Sequence, residues 1–217
     1  MGADFIVRSE TVPAGTVGSA ASARLNKRQE IVAMPWEMSL AAEGRLFVAN
    51  RGTITTPIVL TSATIVDLRP DLVIRVPTGT TIFPLKIEVH FETTGVGNHE
   101  VMARGCANDV GAGTSTAVTP VNMHPSSGRG TACIVARDYT ADCAAPTTPF
   151  EFYRDGYPSD PDVAGSVSRF TWSYMKDGGA PCLRGPASLL FQIGGTIAGS
   201  LYFASIVWAE FLTSELV

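Results

Sequence analysis

The segment Leu85-Lys86-Ile87-Glu88-Val89-His90-Phe91-Glu92 alternates apolar and polar residues without a break. A strand turns successive side chains to opposite faces, whereas a helix repeats every 3.6 residues. The period of two makes this a half-buried strand, with Leu85, Ile87, Val89 and Phe91 on one face and Lys86, Glu88, His90 and Glu92 on the other. A sheet with one apolar face needs a second layer to cover it. Arg169–Tyr174 alternates in the same way and puts Phe170, Trp172 and Tyr174 on one face, in a core or at an interface between subunits.

Further strands are expected at Arg45–Asn50, Ala63–Leu68, Leu72–Val76, within Thr131–Tyr139, at Ser188–Ile193 and at Ser200–Leu212, all rich in Val, Ile, Leu, Thr or aromatics. Turn chemistry separates them: Asn50-Arg51-Gly52, Arg69-Pro70-Asp71, Pro77-Thr78-Gly79, Thr94–Asn98 and Asp177-Gly178-Gly179. Helical periodicity is confined to a short stretch near Ala20–Ile31. Many short strands without intervening helices predict an all-β fold, a sandwich or barrel. No repeat period suggests a propeller or solenoid.

Ser188–Ala209 carries no formal charge and is long enough to span a bilayer. Gly194-Gly195, Gln192, Ser200 and Ser205 instead divide it into two β segments joined by a Gly-rich connection, so no membrane span is expected. The start, Met1-Gly2-Ala3-Asp4, lacks the basic and apolar regions of a secretory signal, and Ile6 stands where myristoylation needs Ser or Thr. The expectation is synthesis in a cytosol, where Cys106, Cys133, Cys143 and Cys182 are thiols rather than a disulfide framework.

Residues 1–30 form an arm, and residues 31–217 the β domain. Glu10–Ala23 is rich in Ser, Ala, Gly and Thr, and so has little apolar surface to offset an ordering cost of roughly 1–2 kcal/mol per residue. The arm is expected to lie on a neighbour's surface or along its own sheet. Arg24, Lys27 and Arg28 give it a weakly basic end, balanced by Glu10 and Glu30, and the net charge of the chain is −4. Nucleic-acid coats need Lys and Arg in excess, which argues against genome contact. Charged residues are only 17% of the chain, against roughly 25% in an average soluble protein. Scarce charge implies surface covered by other chains.

Motifs for chemistry are weak. Gly111-Ala112-Gly113-Thr114 lacks the Gly-Lys-Ser/Thr of a phosphate loop, there is no G-x-S-x-G elbow, and the cysteines lack C-x-x-C spacing. Glu88 and Glu92 share a face but stand about 13 Å apart along a strand, farther than paired glycosidase carboxylates. Asp155, Asp160 and Asp162 offer oxygen ligands in a loop, whose ordinary reading is solvation. No cofactor or catalytic residue is assigned. Tyr153 and Tyr157, in a loop-like Tyr-Arg-Asp-Gly-Tyr stretch, could stack on a ligand or on a neighbouring subunit.

The segment Asp71–Leu85, reading Asp-Leu-Val-Ile-Arg-Val-Pro-Thr-Gly-Thr-Thr-Ile-Phe-Pro-Leu, runs directly into the alternating strand. The end, Gly199–Phe211, is a long aromatic final strand. Together they resemble the jelly-roll structural proteins of virus particles, including capsid-stabilising cement or decoration proteins of tailed phages, over about residues 45–212. That resemblance implies a jelly-roll β-sandwich, a trimer around a threefold axis, an N-terminal arm reaching a neighbour, and other virion proteins, the major capsid protein among them, as partners. Arg24, Lys27, Arg28, Phe170, Trp172 and Tyr174 are then the expected contacts between subunits or with the shell. The alternatives are the major capsid protein itself, or a carbohydrate- or receptor-binding module using Tyr153 and Tyr157.

The register makes its own test. Val89→Lys should abolish cooperative unfolding, because it places a charge in the core, whereas His90→Lys should shift stability by less than about 0.5 kcal/mol. Urea denaturation of both variants checks the assignment of faces.

Overall fold

The computed structural model describes residues 35–53, 55–60, 64–93, 97–111, 113–159, 169–195 and 199–216, with backbone alone at residues 93 and 157–159. Arg24, Lys27, Arg28, Asp160, Asp162 and the helix expected near Ala20–Ile31 lie outside the described residues.

Among the described residues one short α-helix, α1 (Trp36–Ala42), precedes thirteen strands. They are β1 (Leu46–Arg51), β2 (Ile58–Val59), β3 (Leu72–Val76), β4 (Thr80–Thr93), β5 (Gly97–Cys106), β6 (Thr116–Val118) and β7 (Val121–Asn122). β8 (Ile134–Arg137), β9 (Phe150–Ser159), β10 (Arg169–Ser173), β11 (Leu183–Arg184), β12 (Ala187–Gly195) and β13 (Leu201–Leu212) follow. They form two antiparallel sheets packed face to face, an all-β sandwich. The first sheet runs β10-β4-β13-β1-β7, with β11 beside β4 and β2 beside β13; the second runs β6-β8-β3-β12-β5-β9. No helix among the described residues is long and apolar enough to cross a membrane.

The core lies between the sheets. Phe47, Ile87, Val89, Phe91, Ile206 and Trp208 meet Leu72, Ile74, Val101, Leu189 and Phe191, and all are buried. Burying each large apolar side chain stabilises the fold by about 1.5–3 kcal/mol. Ile87, Val89 and Phe91 face inward as the alternation requires, but Leu85 does not. Trp208 pairs with Pro84 and Val207 with Lys86, so Leu85 is the extra residue of a β-bulge. The bulge turns Leu85 to the outer face, where it joins Leu40, Leu46 and Ala209 beneath α1.

β12 is buried at all nine positions. It is central in its sheet, and its outer face is roofed by connecting segments, as in sheets covered on both sides. Gln192 donates to the carbonyl of Val66 (2.5 Å), and Ser188 Oγ donates to that of Asn108 (2.9 Å). This explains the missing charge in Ser188–Ile193. Gly194 and Gly195 do not interrupt the strand. They pair with Glu100 and His99 of β5, and a Cβ would stand 2.6 Å from Ile65 N at Gly194 and 2.7 Å from Asn98 O at Gly195. The strand expected at Ala63–Leu68 is absent from its described part, residues 64–68. That stretch serves as the roof, and its carbonyls accept side-chain donors instead of a ladder.

A buried ionic cluster ties the two sheets together at one end. Arg51, the last residue of β1, pairs with Asp71 at the entrance to β3 and with Asp138 just after β8 (2.8 Å). Its guanidinium lies 5.2 Å from the centre of the Tyr202 ring. Asp71 also accepts the Ile193 N–H (2.6 Å), which brings in β12. Burial holds the Asp71 carboxyl above the ordinary carboxylate range, against the pull of Arg51.

Arg51→Met should therefore lower stability by about 3–5 kcal/mol at neutral pH, since it strands a buried carboxylate. The carboxyl of that variant, raised above its unfolded value, is relieved by protonation, so the deficit should shrink as the pH falls. Adding Asp71→Asn should recover part of the loss. Denaturant melts of the single and double variants at neutral and acidic pH measure both effects.

Candidate interaction surface

The outer face of the first sheet divides into two halves. Helix α1 caps one of them. Leu40 seals Leu46, Leu85 and Ala209, and Phe83 and Phe211 pack alongside in edge-to-face contact 5.8 Å apart. A seven-residue helix is marginal alone, so its contacts hold it. Trp36 Nε1 donates to the Tyr174 hydroxyl (2.7 Å), which itself donates to Glu37. At the other end the Ala42 carbonyl meets His124 Nδ1 at 3.1 Å. Gly44, at φ 68°, lets the chain leave the helix in the left-handed region.

Among the described residues the other half is uncovered. A groove of about 880 Å³ crosses β10, β4, β13 and β1, and its walls include Glu88, His90, Arg169, Phe203, Ser205 and Val121. Its charged wall is an ionic row. Glu88 accepts from Lys86 (2.7 Å) and from Arg169 across the β4–β10 ladder. Burial opposes ionisation of Glu88, but the bonds from Lys86 and Arg169 outweigh it and hold the carboxyl below its ordinary range. The apolar wall is Phe203 with the exposed Val121. Trp36, Met38, Met123 and Met175 are also exposed, on α1 and on the loops flanking the same sheet. A surface that mixes exposed apolar groups with paired charges is suited to recognising another macromolecule.

The expected contact residues are distributed differently. Phe170 and Trp172 face inward on β10 and belong to the main core; Trp172 packs 5.0 Å from Phe152 of the opposite sheet. They are not interface residues, because the buried face of β10 is the one turned to the second sheet. Tyr174 lies beyond the strand and is spent on holding α1. Tyr153 and Tyr157 lie on β9, not in a loop. Tyr153 packs against the core, and burial pushes its phenol above its ordinary range, so it forms no exposed stacking platform. The Tyr157 side chain is outside the described residues. Asp155 is exposed on the same strand, and its carboxylate accepts the Gly156 N–H (2.8 Å). No group of three or more His, Cys, Asp or Glu side chains suited to a metal occurs among the described residues.

Sequence reasoning missed the open half of this face. It marked Glu88 and His90 as outward residues, but no local pattern tells which outward face a neighbouring helix covers. A second groove, of about 510 Å³, lies on the outer face of the second sheet. Its acids are paired as well: Asp67 with Arg104, and Glu100 and Glu151 with Arg154. Arg154 holds the Glu151 carboxyl below its ordinary range. The sequence matches no protein-family model and no curated protein.

The ionic row on the open face is partly solvated, so it should add little to stability. Glu88→Gln should lower it by no more than about 1 kcal/mol, with a difference that fades in high salt. Thermal melts at low and high ionic strength make the comparison.

Proposed function

We propose that this protein is a non-enzymatic structural protein of a virus particle, a jelly-roll subunit that trimerises and binds a capsid shell as a cement or decoration protein. The observation that carries the reading is the order of the strands. Eight strands have five or more residues: β1, β3, β4, β5, β9, β10, β12 and β13. Numbered one to eight along the chain, they lie in the order six-three-eight-one in the first sheet and two-seven-four-five in the second. The two orders fit the paired Greek keys of a jelly roll, an architecture used by viral capsids and also by lectins and cupins. The fold alone does not select among these.

Two further features favour assembly. The low charge of the chain leaves apolar surface in want of cover, and the open half of the first sheet supplies such a surface. In sequence the arm, residues 1–30, precedes α1, which packs on the outer face of that same sheet. It would reach along the shell and act as a clamp, while the sandwich supplies contacts between subunits. Stable biological contacts usually bury more than about 1,000 Å², and an extended arm helps to reach that area. The site of action is the virion, after synthesis in a host cytoplasm, with neither nucleic acid nor membrane as a direct partner.

Light scattering coupled to size exclusion should give a mass of three chains at micromolar concentration; a monomer would overturn the assembly role. Quantitative mass spectrometry of purified particles should then find the protein in fixed stoichiometry to the shell subunit. Removing residues 1–30 should leave the melting transition in place and abolish retention on the shell.

A further inference from the structure

Cys106 and Cys143 share one buried apolar cluster on the outer side of the second sheet, with Val73, Val110, Tyr139 and Leu190 among their neighbours. Cys106 ends β5, and Cys143 lies on the returning limb of the long excursion between β5 and β9. The two limbs are zipped together. Ala107 N–H donates to the Thr147 carbonyl and Ala144 N–H to the Val110 carbonyl, each at 2.9 Å. Cys143 is itself fixed, because its N–H donates to the Leu68 carbonyl (2.9 Å). Val110 N–H donates to Ser188 Oγ (3.2 Å), and Ser188 is the ladder partner of Cys106. A path of bonded neighbours thus runs from Cys143 through Ala144, Val110 and Ser188 to Cys106.

We propose that Cys106 and Cys143 are a latent disulfide, formed as thiols and closed when the protein meets an oxidising environment, which staples the excursion carrying β6, β7 and β8 back onto β5. The oxidant is a low-molecular-weight disulfide such as oxidised glutathione. The Cys143 thiolate attacks one of its sulfurs, the small S–S bond breaks, and one glutathione thiolate leaves and takes up a proton. The Cys106 thiolate then attacks the Cys143 sulfur of the mixed disulfide. The protein S–S bond forms, and the second glutathione leaves with the second proton. The two cysteines lose two electrons, and the small disulfide gains them. Burial holds both thiols above their ordinary range, so the exchange runs through transient lifting of the 138–147 limb and quickens as the pH rises.

The other cysteines separate this pairing from general thiol oxidation. Cys133 is buried in the main core between the sheets, and Cys182 is exposed. The full chain carrying Cys182→Ser is incubated with oxidised glutathione, alkylated and digested without reduction. A peptide joining Cys106 to Cys143, with the loss of two hydrogens, is expected. The melting temperature should rise by about 5–10 °C and fall back with dithiothreitol. Adding Cys143→Ser should abolish both changes. The proposal is overturned if Cys106 and Cys143 remain alkylable under conditions that fully modify Cys182 of the unmutated chain. It is equally overturned if their link forms and lowers the melting temperature. Neither outcome depends on the oligomeric state or on particle binding.

Discussion

Burial of β12 on both faces governs the architecture. A central strand with nine buried positions needs apolar cover above and below it. The first sheet covers its inner face. Its outer face has to be covered by the chain's own connections, and the residues near 64–69 and the long excursion between β5 and β9 do this. Their polar backbone groups need partners once buried, and β12 supplies them: Gln192 reaches Val66, and Ser188 reaches both Asn108 and Val110. The second sheet is consequently roofed by its own loops. Among the described residues the outer face of the first sheet has only α1, which covers one half of it. The asymmetry between the two outer faces, and so the position of the open groove, follows from how much connecting chain each sheet received.

Strands with a strict period were legible in the sequence because period two reports a backbone geometry directly. Ile87, Val89 and Phe91 point where their spacing says. Leu85 points the other way, since a bulge is a property of the pairing between β4 and β13 and leaves no mark on β4 alone. Gly194-Gly195 looked like a break for a related reason. Glycine is a common punctuation mark, but here it admits a close approach of the backbone at Ile65 and Asn98, which lie far away in the chain. Helix α1 is only seven residues long, too short for a helical period to emerge, and is held by distant partners, Tyr174 and His124.

The aromatic residues show the limit more sharply. Alternation in Arg169–Tyr174 separates two faces but does not say which is wet. Phe170 and Trp172 fell on the core side because β10 lies on β4, whose inward residues are fixed by Ile87 and Val89. Around Tyr153 the alternation is interrupted by Gly156 and Pro158, which makes the stretch look like a loop in the sequence. Pro158 is tolerated because β9 is the last strand of its sheet, where one row of N–H groups has no ladder to make. The candidate site is correspondingly less legible than the fold: alternation turns Glu88 and His90 outward, but the partition of that face by α1 is a tertiary event.

Besides Ser188 and Gln192 on β12, several buried polar groups bond one chain segment to another. Arg51 and Asp71 close one end. At a corner His99 is buried against Phe91, with ring centres 4.1 Å apart, and Nε2 meets Ser200 Oγ at 3.0 Å. Glu210 accepts from Thr131 (2.5 Å) and from the Ala132 N–H (2.9 Å), which anchors the segment leading into β8. Each of these groups bonds chain segments that hydrophobic contact alone would leave free to slide, since apolar packing is non-directional. On the proposed assembly role, a subunit that presents one face to its siblings needs its two sheets fixed in register. Directional bonds at the rim supply that, while the apolar centre supplies most of the free energy. On the assembly reading, the open groove then adds contact area without having to order the sandwich that carries it.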